Sequence, residues 1–256
     1  MINGNDIWFL TFADSRFNSW KRLSQQAKDT GWFDKVIAGN ERMFDEWYRI
    51  KYAARFNDRG FGYWQWKSYL IRRELDKMNE GDVLVYCDGG CSFNINGYER
   101  FLEYIQMVQN SDIGIILFDQ GMDPKAWTKR DVFEYFNIEP KQLGQCLVAG
   151  GIILLRKCRN AYAFINDWYY ICHNHYDLIN DSPSKIPNYA EFVEHRHDQC
   201  ILNLLSFKYK AIKLPFDEVY RLDEDWTKMS KYPIWATRKR EVRLNLKQCI
   251  KKIIFK

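Results

Sequence analysis

Asp88 stands just beyond an apolar run, Val83 to Tyr86, and is followed by Gly89 and Gly90. A buried strand that stops at a carboxylate and turns through glycine sets a charged oxygen at the carboxyl edge of a sheet, where open α/β sheets bind ligands. The two glycines let a bulky ligand approach the backbone. Together they suit a metal-bound or phosphate-bearing ligand, although an Asp-Gly pair also serves as a plain turn. The stretch Arg59 to Lys67 sets two basic groups and four aromatics around Gly60 and Gly62. Such a loop, entering a helix, can hold phosphate through helix N–H groups and a lysine; it can also be an aromatic mini-core with solvated charges. His197, Asp198 and Gln199 open a predicted helix, where an anion or a developing charge is stabilised; a lone Asp there is also a cap. Gly150 and Gly151 interrupt an apolar run, as a bulge or a close approach by ligand would require. Trp127 to Asp131 follows the next predicted strand and lines the same edge on this reading.

The four histidines form two His-x-His pairs, 173/175 and 195/197. Zinc accepts such pairs. His173 and His175, however, close a predicted helix, a position that favours His by charge alone, so a four-His zinc site is not expected.

These groups need elements to position them. Ile7 to Ala13 reads as a first strand, with Asp14-Ser15 as the cap of a helix running to Thr30. Lys35 to Ala38 is a short strand, Glu41 to Phe56 helical, Asn57 to Gly62 a loop, and Tyr63 to Met78 a helix. The strand into Asp88 follows. Gly97 to Gln109 is helical, Ile113 to Phe118 a strand, Trp127 to Phe136 a short helix, and Cys146 to Leu155 a strand broken by Gly150-Gly151. Asn160 to His173 is a helix, Asn174 to Tyr189 a polar loop, His197 to Tyr209 a helix, and Ala211 to Leu214 a last strand. Strands alternating with helices predict a mostly parallel sheet covered on both faces.

A chain of 256 residues, 46% hydrophobic and 28% charged, can bury a large core as one domain. Aromatics reach 17%, more than a core needs, and Tyr and Trp grip sugars and other amphipathic ligands well. No apolar run is long enough for a membrane span, and no secretory signal is legible. Seven cysteines at scattered spacings, with no Cys-x-x-Cys pair, suit a reduced, cytoplasmic setting. Charge is uneven. From Ala236 to Lys256 there are eight basic residues and one acid, so this stretch is +7 and the remaining chain −2. The body is therefore not a nucleic-acid surface by net charge. The stretch carries Val242, Leu246, Ile250, Ile253 and Ile254 at roughly helical spacing. It is expected to be a basic amphipathic helix on an anionic membrane, peripheral at the inner face; a helix docked on the body is the alternative. The expected domains are 1–235 and a tail, 236–256.

Five stretches in this order, Ile7–Asp14, Gly60–Lys67, Leu84–Gly90, Ala149–Arg156 and His195–Gln199, make the chain resemble the GT-A-fold glycosyltransferases of surface-polysaccharide, O-antigen and capsule biosynthesis, bacterial and viral. The resemblance covers residues 5–215. It implies a single GT-A-like, Rossmann-like domain and transfer of a hexose from a nucleotide-sugar, a UDP-sugar in many relatives, to a hydroxyl of a glycan or lipid-linked glycan. On that resemblance Thr11, Phe12 and Ala13 contact the base. Lys67 and Arg59 face the nucleotide or its phosphates. Asp88 matches the first Asp of an Asp-x-Asp motif that binds a divalent metal and the pyrophosphate. Ala149 and Gly150 lie beside the donor sugar, and His197 and Asp198 sit where relatives place a late metal ligand or a catalytic carboxylate.

One position departs from that pattern: Gly90 replaces the second Asp. Mn²⁺ or Mg²⁺ wants several oxygen ligands, though diphosphate and water supply many. Asp88, alone or with His197, is then the expected metal site, and a metal-independent enzyme using Lys67 and Arg59 is the alternative. An inverting transfer needs a base at the acceptor hydroxyl, for which Asp198 is the candidate; a retaining one needs a group on the donor's other face, Gln199 or Asp198. Trp127 is the candidate for stacking on an acceptor sugar. Two other classes compete. One is an inert nucleotide- or sugar-binding protein of the same fold, since the second Asp is lost. The other is a nucleotidyltransferase, disfavoured because Thr11 to Arg16 has no glycine-rich phosphate loop.

Overall fold

The computed structural model describes residues 4–241. Its centre is a six-stranded sheet of β1 (Ile7–Phe12), β2 (Lys35–Gly39), β3 (Val83–Cys87), β5 (Ile115–Asp119), β6 (Ile152–Arg156) and β7 (Ile212–Pro215), in the order β2-β1-β3-β6-β5-β7. A two-residue strand, β4 (Ser92–Phe93), pairs outside it with β8 (Ile234–Trp235). Five strands of the large sheet run one way and β6 runs the other, because β6 is antiparallel to both β3 and β5. The sheet is mostly parallel, as the alternating pattern predicts.

β1 and β3 are buried along their whole length, as unbroken apolar runs must be in a sheet covered on both faces. Period-two alternation then sends their side chains to opposite cores. Trp8, Leu10, Leu84 and Tyr86 face one side, against α4 (Trp66–Leu75), α8 (Arg159–Asn174) and α9 (Asp198–Lys208). Phe9, Val83, Val85 and Cys87 face the other, against α1 (Ser19–Thr30) and α5 (Tyr98–Asn110). The helices dock by stripes at helical spacing, such as Ser19, Leu23 and Ala27 of α1 and Phe101, Tyr104, Ile105 and Val108 of α5. The remaining short helices are α2 (Glu46–Tyr52), α6 (Pro124–Trp127) and α7 (Arg130–Phe136), while α3 (Arg59–Tyr63) is a single turn whose backbone is left-handed from Gly60 onward.

Several boundaries differ from the sequence expectation. α1 starts at Ser19, with Asn18 before it, and Asp14 is not its cap. Asp14 instead takes Arg16 into an ion pair at 2.6 Å and accepts the Arg16 backbone N–H. The stretch from Glu41 to Phe56 is a 3-10 turn, then α2, then a second 3-10 turn. The helix expected from Tyr63 begins at Trp66, because a left-handed turn occupies Gly60 to Trp64. Residues 236–241 of the expected tail lie along the body: Ala236 N–H donates to Val219 O at 2.7 Å, and Asn18 N–H to Glu241 O at 2.7 Å. The amphipathic helix expected from Val242 lies outside the described residues. Among the described residues no helix is long and apolar enough to cross a membrane.

Candidate active site

The site forms where β3 ends and β6 begins. Because β6 is reversed, Cys87 pairs with Ile152, and the segment before β6 returns to the edge where β1, β3 and β5 end. Asp88 is locked there by its backbone N–H, which donates to Gly151 O at 2.8 Å. Its Oδ1 accepts Tyr86 O–H at 2.6 Å and faces Lys67 Nζ at 3.2 Å. Its Oδ2 has no hydrogen-bond partner among the described residues, and the side chain is 42% exposed. Asp88 thus has one oxygen fixed by the protein and one open to a ligand.

Lys67 holds this arrangement from below. It sits in the first turn of α4 with its side chain 4% exposed. Its ammonium donates to Gly150 O at 2.9 Å and lies 3.8 Å from Asp198 Oδ2. Burial pulls the Lys67 pKa down, but Asp88 and Asp198 more than offset this, and the group stays charged. Asp198, the first residue of α9, is as buried as Lys67. Its Oδ2 has no hydrogen-bond partner. Burial pushes the Asp198 carboxyl up to about 7, opposed by Lys67 and reinforced by Asp88. Burial also keeps the Tyr86 phenol protonated, as a fixed donor to Asp88.

Glycine at 151 keeps the open oxygen of Asp88 clear, whereas a Cβ at 150 would make ordinary contact with its neighbours. A Cβ on Gly151 would stand 3.0 Å from Asp88 Oδ2, and one on Gly150 3.7 Å from Lys67 Nζ. Gln199, half-buried beside Gly150, donates to Gln120 Oε1 at 2.7 Å. That bond leaves one amide oxygen and further N–H donors of the pair available, a set that suits sugar hydroxyls.

The turn that delivers Lys67 is unusual. Gly60, Phe61, Gly62, Tyr63 and Trp64 all have positive φ, at 63°, 60°, 92°, 48° and 59°. Left-handed backbone costs about 1–2 kcal/mol for each residue that carries a Cβ, and three here do. Packing holds it: Phe61 stacks on Phe56 with ring centroids 4.4 Å apart, and Trp66 Nε1 donates to Gly60 O. His197 is also held at φ 54°, ψ −128°, immediately before Asp198. Such conformations gather at functional sites, where the surroundings over-determine them.

His197 faces away from Asp88. Its Nδ1–H donates to Ile179 O at 2.9 Å, its Nε2 lies 3.8 Å from Asp181 Oδ1, and its ring rests against Tyr63 and Trp64. His195 is a structural clasp: Nε2–H donates to Leu178 O, and Nδ1 accepts the Lys129 backbone N–H. The Lys129 ammonium binds the carbonyls of Asp177, Asn180 and Ser182. Three buried basic side chains therefore tie down the 177–182 segment beside the site.

The predicted residues divide as follows. Lys67, Asp88, Ala149-Gly150, Asp198 and Gln199 come together. Thr11 and Phe12 are buried, with Phe12 packed on Trp66 at 4.2 Å; Ala13 alone reaches the rim, 3.4 Å from where a Gly89 Cβ would stand. Arg59 is exposed and without a hydrogen bond or ion pair among the described residues, near His197 rather than Asp88. Trp127 has one ring face taken by the Arg196 guanidinium at 4.2 Å. Tyr86 and Gln120 were not singled out from sequence. Tyr86 reads as one more aromatic in an apolar run, and Gln120 as an ordinary residue after a strand.

The donor set for a divalent cation is small. Among the described residues no group of three or more His, Cys, Asp or Glu side chains could hold a metal ion. Asp88 Oδ2 is one open carboxylate oxygen, and a cation of the Mg²⁺ or Mn²⁺ type often takes one or two carboxylates and completes its shell with substrate phosphate and water.

No family model and no curated protein sequence matches this chain. Solved structures do match in shape. A glycosyltransferase involved in glycosylation of the major capsid of PBCV-1 is 9% identical, covers 90% of this chain and 91% of its own, and has a TM-score of 0.45. The galactosyltransferase LgtC, in complex with donor and acceptor sugar analogues, is 13% identical over 90% of this chain and 86% of its own, with a TM-score of 0.43. Mouse xyloside xylosyltransferase 1, in its apo form, is 14% identical over 94% and 86%, with a TM-score of 0.43. At these values each is a distant likeness of shape.

Proposed function

We propose that the protein is a glycosyltransferase that moves a sugar from a nucleotide-sugar donor to a hydroxyl of a glycan or lipid-linked glycan. One observation carries the proposal. The five stretches behind the sequence resemblance, far apart in the chain, meet at one sheet edge: Lys67 touches Asp88 and Gly150 and faces Asp198, while Phe12 and Ala13 close on Gly89 and Trp66. A shared donor site needs that convergence.

In the transfer, the acceptor oxygen bonds to the anomeric carbon. The bond from that carbon to the donor phosphate breaks, the nucleoside diphosphate leaves with the electron pair, and the acceptor proton passes to a base or to the leaving group. Asp88 presents its open oxygen to the donor. A divalent cation, where the donor brings one, would be held by Asp88 and would neutralise leaving-group charge. Lys67 and Tyr86 hold Asp88 in one orientation, so little reorganisation is needed when charge develops. Gln199 and Gln120 bind sugar hydroxyls. Asp198, sealed against Lys67 in this conformation, acts on the acceptor only through movement of the α9 start; otherwise it serves as the counter-charge that keeps Lys67 in place.

The UDP-hexose donor, a surface-polysaccharide acceptor and a peripheral place at the inner face of a membrane belong to the same proposal. The inert-binder reading has the Gly90 replacement in its favour. Activity separates the two: purified protein should release nucleoside diphosphate from one nucleotide-sugar, and Asp88→Ala should lower that rate at least a hundredfold with the fold intact. Equal rates in the two proteins would remove Asp88 from the mechanism.

A further inference from the structure

Gly90 is the position at which the metal-binding pattern fails, and its surroundings give a physical reason. The C-terminal strap, residues 234–241, lies directly on it. β8 pairs with β4 just after Gly90, and Asn94 Nδ2 donates to Ser230 O and Tyr232 O, fixing the strap's approach. Thr237 Oγ1 donates to Gly90 O at 2.9 Å, and Lys239 N–H to the same oxygen at 3.0 Å. A Cβ on Gly90 would stand 3.2 Å from Arg238 Cα and 3.4 Å from its carbonyl carbon. Those atoms are backbone and cannot swing aside as a side chain would, so an Asp at 90 would require the strap to give by a few tenths of an ångström.

The four charged residues of the strap have different fates. Arg238 lies over the Tyr220 ring at 4.9 Å, and Glu241 pairs with Arg22 Nε at 2.7 Å. Arg22 in turn donates to Gly89 O and Cys91 O. These two act as clamps. Between them Lys239 and Arg240 are exposed, and their side chains make no hydrogen bond or ion pair among the described residues. Asp88 and Gly90 are two residues apart, at most about 7 Å along the chain, so the strap backbone at Lys239, which donates to Gly90 O, runs close to the open carboxylate and carries two exposed cations there.

We propose that Lys239 and Arg240 bind the donor's diphosphate, doing with fixed cations what a second carboxylate and its share of a metal would do. The proposal rests on the donor-site reading above and adds two residues to it. It also assigns the first part of the basic C-terminal stretch to the nucleotide site rather than to a membrane.

The test uses the full chain with UDP, GDP, CDP and dTDP, the matching monophosphates, and vesicles with and without phosphatidylserine. Calorimetry first finds the diphosphate that binds the wild type. The double variant Lys239→Ala/Arg240→Ala, altered only at exposed side chains, should bind it at least tenfold more weakly, with a much smaller loss for the monophosphate. Gly90→Asp should also weaken diphosphate binding, with or without Mn²⁺. Unchanged diphosphate affinity in the double variant overturns the proposal, as does a Gly90→Asp protein that binds more tightly in Mn²⁺. So does a double variant that loses only its attachment to phosphatidylserine vesicles, since the two cations would then face lipid. A wild type that binds none of the four diphosphates removes the donor-site reading itself, and the strap's role with it.

Discussion

At the scale of single residues, the candidate site is a carboxylate whose two oxygens are treated differently. Asp88 Oδ1 is held by Tyr86 and Lys67, and Oδ2 is left open. Lys67 can remain charged in a buried place only because Asp88 and Asp198 are within 4 Å. Asp198 shares that burial, which pushes its carboxyl up to about 7 against the opposing pull of Lys67. In the unfolded chain that carboxyl ionises near 3.8. Its favourable contribution to stability is therefore present below that pH and is lost as pH rises through about 7. Asp198→Asn removes this titration. Plotted from pH 4 to 8, the melting temperature of Asp198→Asn minus that of the wild type should rise, then level off above about 7. A flat difference would mean that Asp198 is ionised throughout.

Asp88, Lys67 and Gly150 could be singled out in the sequence by type and neighbours, a carboxylate before glycines or a lysine after an aromatic-glycine turn, although the same patterns also make plain turns and small cores, and only the fold brings the three together. Tyr86 was not legible, since an aromatic inside an apolar strand is ordinarily core and only the geometry aims its hydroxyl at Asp88. His197 illustrates the opposite limit. Its type suggested a metal ligand, but its ring is fixed by Ile179 O and the faces of Tyr63 and Trp64.

At the scale of elements, strands were legible and several helix starts were not. Strands such as Ile7–Phe12 announce themselves by composition. The entry to α4 does not: nothing local says that five successive residues turn left-handed, because they are held by the Phe61–Phe56 stack, the Trp66 indole N–H on Gly60 O and the Trp64 ring against His197. Asp14-Ser15 looks like a cap, yet Asp14 pairs with Arg16 and the helix waits until Ser19. The left-handed turn yields a prediction of its own. Gly62 has φ 92°, and an added Cβ would meet Arg55 O at 3.2 Å and Gln65 Nε2 at 3.3 Å. Gly62→Ala should cost about 1–3 kcal/mol of stability. It should also lower donor affinity by shifting Lys67, three residues past the turn's end at Trp64. Chemical denaturation and donor titration of the one variant measure both. A variant as stable as the wild type would show that the turn is not strained.

At the scale of the whole molecule, the mostly parallel sheet was predictable from alternation of strands and helices, and the reversal of β6 was not. That reversal matters, because it carries the Gly150-Gly151 segment back to the edge where Asp88 ends its strand. Long-range placement also explains Gly90. In the sequence it is a missing Asp; in the fold it is the seat of a segment almost 150 residues further along the chain. The same fold that brings the five stretches together thus accounts for the one residue that breaks the pattern.

The central claim is that a nucleotide-sugar binds at Asp88. The most direct measurement is thermal stabilisation of the wild type and of Asp88→Ala by UDP-, GDP-, CMP- and dTDP-sugars, each with and without Mn²⁺. It requires no knowledge of the acceptor, since a ligand that binds only the folded state raises the melting temperature by mass action. The structure-based account predicts a shift of the wild type with one donor class and its loss in Asp88→Ala. No shift with any donor, or an equal shift in both proteins, would contradict it.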